Sequence, residues 1–132
     1  MLIIVYLEKY LSPLLLLAMR LWMASIFWHS GLTKINDWQS TVALFQNVYN
    51  VPILSPQIAA SLATMTELSC PILLLLGFAT RLATIPMLIM TAVIQLTYLQ
   101  SPEHFYWAML LGTLLCFGPG TLSIDYLLKK KL

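Results

Sequence analysis

Two charged residues inside apolar stretches are the groups in this sequence best placed to do chemistry. Arg20 and Glu67 each lie near the middle of a long apolar stretch. Ionisable side chains are costly to place in a membrane, so they commonly mark proton, ion or substrate sites there. If the stretches form antiparallel neighbouring helices, about ten residues at 1.5 Å each bring both side chains to the same depth. The spacing therefore predicts an Arg20–Glu67 ion pair.

Two interpretations of this pair are open, and they do not exclude each other. A buried ion pair can simply fix the register of two helices, because each charge satisfies the other. The same groups can instead form a substrate, quinone or proton site in which the carboxylate of Glu67 accepts a proton. The second interpretation makes Glu67 and Arg20 the candidate catalytic residues.

A helical stripe connects Arg20 with a second basic residue. The spacings along the stripe are four, three, four and three residues, which places its members on one helix face: Arg20, Ala24, Phe27, Gly31 and Lys34. Gly31 allows a neighbouring helix to approach closely. Arg20 and Lys34 are therefore predicted to be the deep and shallow substrate-binding residues of a polar pocket that opens toward the outer side.

Polar groups on a later apolar stretch can complete this pocket. Gln95 is a third candidate substrate-binding residue, with Thr91 and Tyr98 on the same stretch. Threonine and glutamine are also ordinary hydrogen-bonding groups between membrane helices, so a purely structural role is the alternative.

Cysteine and histidine spacing predicts no metal or haem site. Cys70 and Cys116 lie in apolar stretches without a CxxC spacing, and we expect protonated packing thiols rather than a redox pair. His29 is expected to pack near the outer interface. His104 lies at a loop or helix end, which does not favour bis-histidine haem ligation. No flavin, nicotinamide or iron–sulfur motif is recognisable.

The composition requires lipid as the main solvent, because 60% of the 132 residues are hydrophobic and only 9% are charged. A soluble domain carries about 25% charged residues. A bilayer core of about 30 Å needs about 20 apolar residues per helix. The chain therefore predicts a single all-α domain, an integral membrane bundle of four transmembrane helices over residues 1–132, with spans at about 11–32, 57–78, 82–99 and 105–122. We expect the first span to be retained rather than cleaved as a signal peptide.

The connection after the first span predicts a short interfacial helix. Its larger apolar residues recur at spacings of four, three and four: Trp38, Val42, Phe45 and Tyr49. Such a pattern is typical of an amphipathic helix, with Asn36 or Asp37 available as its cap. This helix either lies in the lipid plane or packs as a lid over the mouth of the bundle.

Basic residues outside the spans predict the orientation of the chain. Lys9, Arg81 and the 129–131 lysines fall on one side of a four-span chain, while Lys34 is the one basic residue of the opposite connections. Short loops rich in lysine and arginine remain in the cytoplasm. Both termini are therefore predicted to be cytoplasmic.

Three segments together resemble the DoxX family of small bacterial membrane proteins: RLWMASIFWHSGLTKI, TELSCPILLLLGFATRLA and YWAMLLGTLLCFGPGTLSIDYLL. The resemblance covers nearly the whole chain. In the last segment, Gly118 to Gly120 break the helix, Ser123 is a candidate N-cap, and Asp125 falls in the first turn of a short helix on the inner side.

The resemblance implies a four-helix protein of the bacterial inner membrane. Some relatives take part in quinone-linked oxidation of sulfur compounds, and others in oxidoreductase or oxidative-stress complexes. We therefore expect a membrane subunit of a quinone-linked oxidoreductase system, with quinone as a possible cofactor. The expected partners are the lipid bilayer and a second protein or further copies of the chain, and not nucleic acid.

Two other functions are compatible with the sequence. One is a non-catalytic scaffold that holds a partner protein at the membrane. The other is a small proton-coupled exporter of the four-helix multidrug type, which also depends on an intramembrane carboxylate. Those exporters carry the carboxylate in the first span, whereas Glu67 lies in the second, so the exporter is the less favoured alternative.

Overall fold

The computed structural model describes residues 1–49, 53–97 and 101–131, and this part of the chain contains helices and no strand. The all-α prediction is therefore confirmed. Six helices follow one another: α1 (Leu2–Asn36), α2 (Trp38–Leu44), α3 (Pro56–Leu76), α4 (Thr80–Thr97), α5 (Pro102–Phe117) and α6 (Ile124–Lys131). α2 continues into one π-helical turn, Phe45–Tyr49.

The four long helices pack as an antiparallel bundle. α1 packs mainly against α3 and α4 against α5, while contacts of α3 with α4 and of α1 with α5 join the two pairs. One end of the bundle, which we call the Arg20 end, holds Arg20, the α3–α4 turn and the α5–α6 connection. The other, the Lys34 end, holds Lys34, α2 and the start of α5. The main core lies between them: Met23, Ala24, Phe27, Cys70, Leu74, Ala83, Met87, Leu111 and Leu114.

Two of the helices, α1 and α3, are long and apolar enough to cross a membrane by length and composition, and α4 is a shorter apolar helix. Each predicted span overlaps one of the four long helices. The fourth was expected to continue to near Leu122, but α5 ends at Phe117. Gly118, at φ 78° and ψ −169°, and Pro119 end the helix there because neither conformation continues an α-helix.

The first helix begins earlier than expected, at Leu2 instead of near Leu11. Its 35 residues correspond to a length of about 52 Å. The turn at Leu7–Leu11 is π-helical, and it precedes Pro13, which has no N–H to donate to the carbonyl of Lys9. None of the first eleven residues is buried, so this part of α1 projects beyond the core of the bundle.

Serine and glycine residues set the ends of α3 and α5. Ser55 and Ser101 are the N-caps, and each is followed by a proline at the first helical position. α3 ends at Gly77, which adopts a left-handed conformation with φ +68°. The amide of Phe78 then donates to the carbonyl of Leu73, which completes a Schellman-type termination.

α2 covers the Lys34 end, which favours the lid over the lipid-plane interpretation. Asp37 is its N-cap, since its carboxylate accepts from Ser40 Oγ at 2.7 Å and from the amide of Ser40 at 3.2 Å. These hydrogen bonds, led by that from the side chain, lower the pKa of Asp37. Thr41 and Phe45 are buried, whereas Trp38 is exposed, and the side chain of Tyr49 lies outside the described residues. α2 and its π turn contact both α3 and α4.

Gly77→Ala should destabilise the fold strongly. A Cβ at this position would lie 2.4 Å from Arg20 Nη1 and 2.4 Å from Ser123 Cβ, on a backbone that L residues rarely adopt. We expect a loss of at least about 2 kcal/mol in the free energy of unfolding, because overpacking and backbone strain add. Unfolding of the purified protein in detergent measures this value.

Gly112→Ala is the matched control, since no atom lies within 4 Å of a Cβ at that helical position. It should be neutral or stabilise by up to about 1 kcal/mol, through higher helix propensity. Equal destabilisation by both substitutions would contradict the packing described around Gly77.

Candidate functional site

The main candidate site is a buried ion pair between α1 and α3 at the Lys34 end. Lys34 Nζ lies 2.8 Å from Glu67 Oε2 and donates to Oε1 at 3.0 Å and to Ser30 Oγ at 3.0 Å. Oε2 receives no directed hydrogen bond and is held by the ion-pair contact. The side chain of Glu67 is 1% exposed and that of Lys34 is 12% exposed. A charged pair this deep requires mutual neutralisation, which this geometry supplies.

The predicted stripe on α1 brings this pair together. Arg20, Ala24, Phe27 and Gly31 are buried, so the stripe faces the bundle as expected. A Cβ at Gly31 would lie 3.2 Å from the backbone carbon of Glu67, which shows how closely the two helices approach. The prediction that Gly31 permits a close neighbour is confirmed.

A small cavity borders the ion pair. Its volume is about 50 Å³, and apolar side chains from the α2 extension, α3 and α4 complete the wall: Phe45, Ala63, Met90, Val93 and Ile94. A water molecule occupies about 30 Å³ of liquid volume, whereas pockets for organic ligands usually exceed about 300 Å³. The cavity therefore suits one or two water molecules and does not fit a quinone ring.

Arg20 does not join this cavity, and the predicted Arg20–Glu67 ion pair is wrong. The guanidinium is fully buried at the other end of the bundle, where Nη1 donates to the carbonyl of Leu74 at 3.0 Å and Nη2 to that of Leu122. Leu74 lies about 10 Å along α3 from Glu67. The last carbonyls of a helix lack internal partners and carry partial negative charge, so they stabilise the two terminal nitrogens of the guanidinium, while Nε has no hydrogen-bond partner among the described residues.

Asp125 joins α6 to the turn between α3 and α4 at the same end of the bundle. Its carboxylate accepts from the amides of Ala79 at 2.7 Å and Thr80 at 3.0 Å, and its own amide donates to the carbonyl of Gly77 at 2.9 Å. Ser123 caps α6 as predicted, since its Oγ accepts from the following helical turn. Sequence reasoning assigned Asp125 to the first turn of α6 and missed that it also caps α4.

Gln95 belongs to a second polar cluster at the Lys34 end. Its Oε1 accepts from the amide of Ser101 at 3.0 Å and lies 2.7 Å from His104 Nδ1. Because a backbone amide can only donate, the oxygen of Gln95 is the atom that faces His104, and Nδ1 carries the proton. His104 is 4% exposed and packs edge-on against Trp107, 4.8 Å between ring centroids. Trp107 in turn contacts Phe27.

This cluster is separate from the cavity at Lys34 and Glu67. Gln95 does not line that cavity, and its substrate-binding role stays a prediction. Thr91 is buried and donates to the carbonyl of Met87 on its own helix, and Tyr98 lies outside the described residues. Sequence reasoning missed His104. The spacing of nine residues across a short antiparallel connection was the available signal, since it brings Gln95 and His104 to facing turns.

The cysteines have different surroundings. Cys70 is 6% exposed in the main core, as expected of a packing thiol. Cys116 is exposed near the Arg20 end, where its carbonyl accepts from Arg81 Nη2 at 3.2 Å. The expectation of a packing thiol is not met for Cys116 among the described residues, because α5 ends one residue later and its last turn is uncovered. Both thiols are free.

Comparison with known proteins identifies one family. The family model described as DoxX matches residues 15–100, which include α2, α3, α4 and α1 from Leu15 onward. No curated protein and no solved structure matches the chain significantly. The match contains Arg20, Lys34, Glu67 and Gln95, and it excludes α5 and α6, and with them Asp125.

Two double-mutant cycles should separate the observed ion pair from the predicted one. Lys34→Met leaves the carboxyl of Glu67 buried without a partner, and we expect a loss of about 3–5 kcal/mol in unfolding free energy. Lys34→Met combined with Glu67→Gln should cost much less than the sum of the single substitutions. The control cycle, Arg20→Met with Glu67→Gln, should be additive within about 0.5 kcal/mol, because the two residues share no contact. Coupling between Arg20 and Glu67, without coupling between Lys34 and Glu67, would contradict the Lys34–Glu67 ion pair.

Proposed function

This chain belongs to the DoxX family, and from that membership we propose that it is the membrane subunit of a quinone-linked oxidoreductase system. The system would act in sulfur-compound oxidation or in an oxidative-stress complex. Family membership and the apolar helices α1 and α3 together indicate a membrane protein. The candidate contribution of this chain is the Lys34–Glu67 pair, acting as a proton-exchanging site.

The observation that carries this proposal is a buried carboxyl, paired with a lysine, beside a water-sized cavity. Transfer of a proton from Lys34 to Glu67 converts the ion pair into two neutral groups, which removes charge from an apolar region. The proton can therefore move between Lys34 and Glu67 without leaving an isolated charge on either side chain. Water in the cavity of about 50 Å³ would connect the pair to the outside.

A quinone accepts two electrons and two protons when it is reduced to a quinol. The cavity at Lys34 and Glu67 does not fit a quinone ring, so we assign no quinone contact to these residues. What this chain offers to such a reaction is proton exchange and a place in the membrane. A partner subunit would hold the redox centres, with the electrons supplied by a reduced sulfur compound.

We further propose four spans in the bacterial inner membrane, with both termini in the cytoplasm. The lengths of α4 and α5, 18 and 16 residues, correspond to about 27 and 24 Å, close to the thickness of a bilayer core. The Arg20 end, together with the flanking segments, carries most of the basic residues outside the bundle: Lys9, Arg81 and Lys129 to Lys131. This distribution supports a cytoplasmic Arg20 end.

One observation favours the scaffold alternative. Residues 2–11 form a helix without a buried residue and project beyond the core, which would suit attachment of a partner protein. A scaffold needs no proton exchange, so it predicts that the charges of Lys34 and Glu67 are dispensable once the protein is folded.

Reporter fusions should place both termini on the cytoplasmic side. A fluorescent protein that folds only in the cytoplasm should be bright at either terminus, and alkaline phosphatase at either terminus should be inactive. Alkaline phosphatase inserted after Leu54, between α2 and α3, should be active and serves as the control. Opposite signals from the two termini would contradict an even number of spans.

Turnover of the complex should depend on the ion pair. In vesicles containing the chain, its partner subunit and a quinone, Glu67→Gln and Lys34→Gln should each lower turnover by at least about 100-fold, the usual contribution of a proton-transfer group. Glu103→Gln, which alters an exposed carboxylate at the same end of the bundle, should stay within about twofold of the unaltered protein.

Two further results decide between the hypotheses. The double variant Cys70→Ser/Cys116→Ser should retain turnover, and its loss would move the chemistry to the thiols. Full turnover in folded Glu67→Gln and Lys34→Gln variants would reject the proton-exchange proposal in favour of the scaffold. Gel filtration of each variant with the partner shows whether folding and assembly are intact.

A further inference from the structure

A large groove at the Arg20 end is separate from the site proposed above. Its volume is about 420 Å³, and it is enclosed by the start of α4, the loop after α5 and the first turns of α6. Its lining includes Thr80, Arg81, Phe117, Asp125 and Lys129. The Lys34–Glu67 pair lies at the opposite end of the bundle, so this groove plays no part in proton exchange there.

Two cations border the groove from opposite elements. Arg81, on the first turn of α4, donates to the carbonyl of Cys116 and lies against the loop, where a Cβ at Gly118 would be 3.4 Å from its guanidinium. Lys129 approaches from α6. Asp125 is the one acidic residue among the described residues of the lining. Both of its carboxylate oxygens already accept from backbone amides of the α4 start. With Arg81 and Lys129 against Asp125, the lining has a net charge of +1 (+2 − 1).

An unused hydrogen-bonding group lies in the same wall. Thr80 lines the groove and is completely buried, yet its Oγ1 has no partner. Buried hydroxyl groups are nearly always paired, because an unpaired one costs about 1–3 kcal/mol. A hydroxyl donor in a lining that also contains Arg81 and Lys129 matches the acceptor oxygens of a phosphate group.

The rim of the groove is apolar on one side. Leu82 and Phe117 line it and are 71% and 72% exposed, far more than the core-facing residues of the same helices. In a membrane protein such side chains contact lipid chains. We propose that the groove binds the phosphate headgroup of an acidic phospholipid, with the acyl chains against Leu82 and Phe117.

A lipid accounts for the basic residues, the hydroxyl of Thr80 and the apolar rim together, whereas a free anion does not. A soluble phosphate would use Arg81, Lys129 and Thr80 but would gain nothing from the exposed apolar rim. An acidic headgroup is preferred over a zwitterionic one because a choline group would bring a positive charge toward Lys129. Each basic residue near a membrane surface favours acidic lipid by about fivefold.

The test is lipid selectivity of the full chain. Protein purified in an uncharged detergent is titrated with phosphatidylglycerol or phosphatidylcholine, and bound lipid is counted by native mass spectrometry. We expect phosphatidylglycerol to bind at least about fivefold more tightly than phosphatidylcholine. Lys129→Gln should lower the affinity for phosphatidylglycerol by about fivefold, and Arg81→Gln/Lys129→Gln should lower it by about 20-fold. Lys130→Gln is the matched control, since it removes the same charge next to Lys129 without altering the lining.

The remaining arms exclude a general charge effect and a free-anion site. Thr80→Val, which keeps all charges, should lower the affinity for phosphatidylglycerol several-fold. This variant tests the proposal if the charge variant does not fold. Equal affinity for both lipids, or an equal loss in Lys130→Gln and Lys129→Gln, would overturn the proposal. Displacement of phosphatidylglycerol by millimolar inorganic phosphate would also overturn it, in favour of a soluble anion.

Discussion

The buried guanidinium of Arg20 holds the bundle in register. It joins α1 to the last turn of α3 through the carbonyl of Leu74, and to the chain beyond α5 through the carbonyl of Leu122. A charge this deep tolerates no movement that would break both bonds. Once α1 is fixed at this end, the close approach at Gly31 sets its distance to α3. Lys34, two-fifths of the helix further on, then meets Glu67 at the other end.

Glycine at position 77 is a condition of this arrangement. The guanidinium and Ser123 occupy the space that a side chain would need, and the left-handed backbone turns α3 directly toward α4. The amide donors exposed by that turn are satisfied by Asp125, from the far end of the sequence. The end of α3, the cap of α4 and the hydrogen bonds of the buried Arg20 thus form one connected structure. Its residues are separated by about a hundred positions in the sequence.

The sequence was sufficient for the parts of this fold that depend on local pattern. The helical stripe from Arg20 to Lys34 and the cap at Ser123 follow from spacing and residue type, and the structure contains both. For α2 the sequence offered Asn36 or Asp37 as the cap, and the structure uses Asp37. The partner of Glu67 was not predictable by depth. Counting residues assumed that a buried charge pairs with an opposite charge at equal depth, whereas Arg20 Nη1 and Nη2 donate to backbone carbonyls that carry no signature in the sequence. His104 was missed for a similar reason, since its partner Gln95 becomes a neighbour only through the antiparallel pairing of α4 and α5.

The length of α1 has a consequence for the lipid around it. A helix of about 52 Å exceeds a hydrocarbon core of about 30 Å, and its first residues, Leu2 to Tyr6, are apolar on every side. Glu8 and Lys9 separate these residues from the apolar stretch 10–33, in which Arg20 is the one charged residue and which corresponds to about 36 Å. The mismatch of this stretch with the bilayer is relieved by tilting the helix or by thickening the bilayer locally. Because Arg20 and Lys34 both anchor α1 to α3, the helix cannot tilt alone. The bundle as a whole must therefore tilt, so a change in membrane thickness changes the depth of every residue of the bundle in the bilayer.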